Sequence, residues 1–145
     1  MIQRIQSLFL LIASIGFWLL FKFPFASSDK SVSPFFDDQL FNISDHTVLL
    51  ALTILGGLLT LVSIFLFNNR ALQLRINYLS LIFAFFLAGV AFWLIYSNGK
   101  ELGDAVNIED QTGLYFPIVS FFLIILANYF ISKDSKLVKS MDRLR

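Results

Sequence analysis

The sequence contains no cysteine, which excludes disulfides, thiolate metal sites and cysteine nucleophiles together. His46 is the only histidine. Zinc sites recruit several His or Cys ligands and a bis-histidine haem needs two, so one histidine builds neither. Four long stretches, 5–21, 47–67, 76–96 and 114–131, contain no Asp, Glu, Lys or Arg at all. Proton relays and ion paths within a membrane generally need ionisable groups there, so that absence argues against them. No phosphate-binding glycine loop, serine-centred elbow or zinc motif occurs, and nothing in the charge pattern points to nucleic acid.

What is abundant is apolar surface. Hydrophobic residues make up 57% of the 145-residue chain and the mean hydropathy is +0.77, against about 45–50% apolar residues in soluble domains. Phenylalanine is over-represented, with 18 copies spread over every stretch. An apolar helix of about 20 residues matches a hydrocarbon core of about 30 Å. The third stretch holds twelve Leu, Ile, Phe or Val residues. At about −0.3 to −0.6 kcal/mol each, they contribute roughly −4 to −7 kcal/mol to insertion, unopposed by charge. The expected fold is an all-α membrane domain with four transmembrane helices spanning approximately 5–22, 46–68, 75–97 and 114–132. A cytoplasmic basic tail helix over 133–145 should follow. Pro117 falls in the first turns of the fourth helix, where the missing N–H costs little.

The connections differ in charge sign. One side carries Arg4, Arg70, Arg75, Lys133, Lys136, Lys139, Arg143 and Arg145 against Asp134 and Asp142. The other carries Lys22, Lys30 and Lys100 against Asp29, Asp37, Asp38, Asp45, Glu101, Asp104, Glu109 and Asp110. The Lys and Arg bias sets orientation, which predicts a multi-pass inner-membrane protein with both termini cytoplasmic. Trp18, Tyr96, Tyr78 and Tyr129 fall near span ends, as aromatic belts require. Arg4, the first apolar run and Ala26-Ser27-Ser28 also suit a cleaved signal peptide, but the run is longer than usual and Phe23-Pro24-Phe25 crowds the site.

In the outer loop 23–46, Ser33-Pro34 reads as a helix start with Asp37 and Asp38 in its first turns. Phe36, Leu40 and Ile43 then share one apolar face, which predicts a short interfacial helix. The outer loop 97–113 is rich in Gly and Asp and reads as irregular. The adjacent acids Asp37-Asp38 and Glu109-Asp110 read as solvated loop residues, and His46 as a helix-start residue. Asn42-Ile43-Ser44 matches the glycosylation pattern only as a common chance occurrence.

Polar and small residues within the stretches are the candidates for packing. Gly56-Gly57 is either a close-approach site or a helix break. Ser80, Ala84 and Ala88 recur at four-residue spacing as a small-residue seam. Asn128 is the strongest buried polar candidate and is expected to bond a neighbouring helix. Beyond the fourth stretch the helical period continues. Leu137, Met141 and Leu144 lie on one face, and Lys136, Lys139 and Arg143 on another. That tail serves either as an anchor on anionic lipid or as a docking helix against the turn around Arg70 and Arg75, or against a partner.

Three segments carry a resemblance: Met1-Ile2-Gln3-Arg4-Ile5-Gln6, the turn Asn69-Arg70-Ala71-Leu72-Gln73-Leu74-Arg75, and Ala127-Asn128 followed by Lys133-Asp134-Ser135-Lys136-Leu137-Val138-Lys139-Ser140-Met141-Asp142-Arg143-Leu144-Arg145. Together they resemble an uncharacterised family of small four-helix inner-membrane proteins of Bacteroidota-type bacteria, a domain of unknown function numbered four-two-nine-three. Ser135 and Met141 depart from the family's expected acid and small residue. The resemblance implies topology and source rather than an activity. The sequence thus predicts a non-enzymatic accessory or scaffolding subunit of a larger membrane complex, contacting membrane lipids and other inner-membrane subunits and needing no cofactor. The alternative is a carrier or binding protein for an apolar molecule such as a lipid or quinone.

Overall fold

The computed structural model describes residues 3–31, 38–102 and 108–142. Four helices dominate it: α1 (Gln3–Leu19), α2 (Thr47–Phe65), α3 (Arg70–Leu102) and α4 (Tyr115–Asp142). Three helical segments, Thr47–Phe65, Arg70–Ser97 and Thr112–Val138, are long and apolar enough to cross a membrane. The first helix is apolar but has only 17 residues, about 25 Å at 1.5 Å per residue. Bonds from Phe21 N to Trp18 O and from Phe23 N to Leu19 O continue its coil beyond Leu19.

Large apolar side chains cover the outside of the bundle, and polar side chains are buried within its apolar core. Leu8, Ile12, Leu55, Leu58, Phe85, Phe86, Phe122 and Ile125 face outward, while Gln6, Ser14, Thr53, Thr60, Ser63, Gln73, Asn77, Ser80, Ser120 and Asn128 are buried. Lipid tails are as apolar as leucine, so helices in a bilayer gain by close approach and polar bonds at their seams. That distribution belongs to a membrane protein.

Each helix packs mainly on two others, α1 and α3 each lying between α2 and α4. The buried positions recur in steps of three and four. They are Gln6, Leu10, Ala13 and Phe17 on α1, with Leu20 just beyond it; Leu49, Thr53, Gly56, Thr60 and Ser63 on α2; Gln73, Asn77, Ser80, Ala84, Leu87, Ala91 and Leu94 on α3; and Pro117, Ser120, Ile124, Ala127 and Ile131 on α4. A mean repeat of 3.5 residues is the seam of left-handed knobs-into-holes packing.

Close approach is visible where the helices touch. A Cβ at Gly56 would lie 2.7 Å from the ring of the buried Phe17, and one at Gly57 would lie 3.2 Å from the Phe17 Cβ. Both glycines sit inside an unbroken α2, so they are packing residues rather than a helix break. Ser120 Oγ donates to Ala13 O at 3.0 Å, and Ser14 Oγ to Gly57 O at 3.4 Å. These hydroxyls fasten α1 to α4 and to α2.

At one end the connections form a small antiparallel sheet: β1 (Ala26–Ser28), β2 (Leu40–Phe41) and β3 (Ile108–Asp110), in the order β2-β1-β3. Ala26 pairs with Phe41 on one side and with Asp110 on the other. The Phe25 and Phe41 rings, 6.1 Å apart, bury beneath it with Ile43 and Leu114. Gly113 is needed for close approach, since a Cβ there would meet the Pro24 carbonyl oxygen and lie 2.6 Å from that of Phe23. The sheet ties the α1–α2 connection to the α3–α4 connection. The other end holds the turn between α2 and α3, where Asn69 Oδ1 accepts from Leu72 N and caps α3.

Several expectations require correction. No interfacial helix runs through Leu40 and Ile43. Gln39 adopts φ 62°, Asp38 Oδ1 accepts from Leu40 N, and the chain leaves that turn as β2, followed by a 3-10 turn over Ile43–Asp45. Ser33, Pro34, Phe36 and Asp37 lie outside the described residues. The loop 97–113 is not wholly irregular, because α3 continues to Leu102 and β3 follows. The third helix also starts earlier than expected, at Arg70. The tail is no separate helix: α4 runs through it to Asp142.

Candidate functional site

The chemistry available to this chain is concentrated in a line of polar side chains near the α2–α3 turn. Ser63 on α2 donates through Oγ to Asn77 Oδ1 on α3, at 2.5 Å. Asn77 Nδ2 donates to Asn128 Oδ1 on α4 at 2.7 Å. Gln73, one turn before Asn77, donates through Nε2 to Ser63 O at 3.0 Å. The line therefore links three helices. Ser63, Gln73 and Asn77 are 0–1% exposed and Asn128 is 7% exposed. Burying amides in an apolar medium is costly unless they are paired, and the pairing fixes helix register.

The pairing is incomplete at both ends of the line. Gln73 Oε1 and Asn128 Nδ2 are buried without a hydrogen-bond partner, as are Thr53 Oγ1 and Gln6 Nε2 elsewhere in the bundle. Asn128 lines a groove of about 290 Å³ between α3 and α4 with Tyr78, Leu81, Ile125, Tyr129 and Ser132. Both tyrosines are more than half exposed.

Beyond this line, Arg70 Nη2 lies 2.9 Å from Asp134 Oδ2, with both side chains less than a quarter exposed. The geometry is that of an ion pair rather than an aligned hydrogen bond, since that carboxylate oxygen receives no directed N–H. A second groove, of about 320 Å³, lies beside it, lined by Asn68, Asn69, Arg70, Ser135 and Val138.

The residues singled out from sequence fall into three groups. Gly56, Gly57, Ser80, Ala84 and Asn128 are buried at helix seams, while Ala88 is only half-buried. A four-residue step advances about 40° around a helix, and the seam turns to Leu87 instead. Arg75 and Lys136 are exposed, and Leu137 is 48% exposed. The tail comes close to the α2–α3 turn through Asp134, Ser135 and Val138. Lys139 and Met141 lie on the backbone of α4, while Arg143 and Leu144 lie outside the described residues. His46 caps α2, its Nδ1 accepting from Val48 N. Among the described residues no three His, Cys, Asp or Glu side chains gather as a metal site.

Sequence reading missed Gln73 and Asn77. With Ser80 they recur at i, i+4 and i+7, a polar face within an apolar helix, and such a face turns inward in lipid.

Comparison with known proteins matches nearly the whole chain to one family. Residues 2–144 match the family model described as Domain of unknown function (DUF4293), and the chain belongs to that family. No curated protein and no solved structure matches it.

Proposed function

We propose that this protein is a non-catalytic accessory or scaffolding subunit of an inner-membrane complex. In this reading all four helices cross the bilayer, both termini are cytoplasmic, and the partner is another integral membrane protein. The observation that carries it is the outer face of α3 around Gly89. Nothing lies within 4 Å of where a Cβ would stand at Gly89. Phe85, Phe86, Phe92 and Trp93, three or four residues away on the same face, are each 54–64% exposed. Glycine weakens a helix interior by about 1 kcal/mol relative to alanine, and lipid chains gain nothing from the notch. A partner helix does, because a glycine flanked by bulky side chains lets two backbones approach.

The carrier reading loses one support. It leaned on a break at Gly56-Gly57, where α2 is continuous and Phe17 fills the space. The test is purification from native membranes at endogenous level, comparing wild type with Gly89→Leu. A stoichiometric membrane protein should accompany the wild type and fall at least about tenfold in the variant, whose thermal stability should be no lower, because the site is exposed and leucine favours a helix over glycine. Equal recovery from both, or a lone protein carrying a quinone, contradicts the reading.

A further inference from the structure

The hydrogen-bond line through the bundle has a direction, and its final donor is left over on a residue that lines the α3–α4 groove. Ser63 gives to Asn77, Asn77 gives to Asn128, and Asn128 Nδ2 gives to no group of the protein. Bonds in such a chain polarise one another, so the terminal N–H is a strengthened donor. It is more than nine-tenths buried, and a buried donor left without an acceptor is costly.

The groove at that amide has a graded lining. Leu81 and Ile125, toward the sheet end, form apolar wall. Asn128 comes next, and Tyr78, Tyr129 and Ser132 add hydroxyls. Cations stand one turn further toward the α2–α3 turn. Arg75 precedes Tyr78 by three residues, and Lys133 and Lys136 follow Tyr129 and Ser132 by four, so each lies over a lining residue. All three basic residues are exposed. Along the bundle axis the order is therefore hydrocarbon wall, N–H donor, hydroxyls, positive charge.

A diacyl phospholipid presents the complementary order: acyl chains, ester carbonyls, glycerol oxygens, phosphate. A quinone also offers a carbonyl, but it has no anion for the three cations. We propose that the α3–α4 groove is a binding site for one anionic diacyl phospholipid. Its acyl chain lies along Leu81 and Ile125, an ester carbonyl accepts from Asn128 Nδ2, and its phosphate faces Arg75, Lys133 and Lys136. Lipid bound this way completes the polar line and wedges α3 against α4.

The test is lipid titration of the delipidated full-length protein, read by native mass spectrometry. The probes are diacyl phosphatidylglycerol, its diether analogue with the same headgroup and chains, diacyl phosphatidylethanolamine and a long-chain quinone. One diacyl phosphatidylglycerol should bind, and the diether lipid should bind about 3- to 10-fold more weakly, as expected for one lost hydrogen bond. Arg75→Gln combined with Lys133→Gln should erase the preference for phosphatidylglycerol over phosphatidylethanolamine. Leu81→Trp should fill the groove and lower binding of every lipid. Equal binding of diacyl and diether lipid to the wild type overturns the site. So does a quinone that excludes the phospholipid. Both decisive comparisons use the wild-type protein, so they stand even if a variant folds poorly.

Discussion

Asn77 is the residue on which the half of the bundle near the α2–α3 turn depends. It accepts from Ser63 and donates to Asn128, so α2, α3 and α4 all depend on one amide. Asn77→Leu keeps the number and branching of the side-chain heavy atoms but leaves the Asn128 oxygen and the Ser63 hydroxyl without their partner. Polar bonds between membrane helices are worth about 0.6–2 kcal/mol each, so a loss of about 1–2 kcal/mol is expected. Thermal unfolding in mild detergent reads it, with Ser63→Ala as a milder companion that removes one bond only. An Asn77→Leu protein as stable as wild type would show the line to be incidental. Sequence pointed to Asn128 because it is an isolated amide in an apolar run. Its partners stayed hidden because Gln73 was assigned to the turn and Asn77 lay at the edge of the expected span.

At the scale of the helix, the seam period decides which substitutions matter. Ser80, Ala84 and Ala88 form an appealing small-residue stripe, but along this stretch of α3 the buried residues are Ser80, Ala84, Leu87 and Ala91. A 3.5-residue seam predicts that Ala84→Phe and Ala91→Phe are both costly, by about 1–3 kcal/mol from overpacking. Ala88→Phe should cost less, and Ile82→Phe, at a half-exposed position, should be near neutral. Unfolding midpoints of the four variants in one detergent check this. A profile with Ala88 as costly as Ala84 would restore the four-residue stripe. The existence of the helices was legible because charge-free runs of this length have few other outcomes in a chain. Their ends were not. Polar residues after Ile131 and before Ile76 look like loop, yet α3 and α4 extend through them and pair Arg70 with Asp134. The strands were equally hidden, since Ala26–Ser28 and Ile108–Asp110 are three-residue segments with no alternation to read. Their pairing joins positions some eighty residues apart.

For the whole molecule, the sheet supplies an argument about topology that is independent of charge. It hydrogen-bonds the segment after α1 to the segment between α3 and α4. The C-terminal ends of α1 and α3 therefore lie together, and if α3 crosses the bilayer the shorter α1 must run the same course. In the proposed reading, the turn end, with Arg70, Arg75, Lys133 and Lys136, faces the cytoplasm, as its excess of basic residues predicts. The most direct test uses the absence of cysteine. Single cysteines replace the exposed Asp29, Asp45 and Glu109 at the sheet end, and the exposed Asn69 and Lys136 at the turn end. Intact spheroplasts are then treated with a membrane-impermeant maleimide. The expected result is labelling at 29, 45 and 109, with 69 and 136 reacting only after lysis. Labelling at 69 or 136 in intact cells, or protection at 29 alongside reaction at 109, would contradict a four-span bundle with cytoplasmic ends.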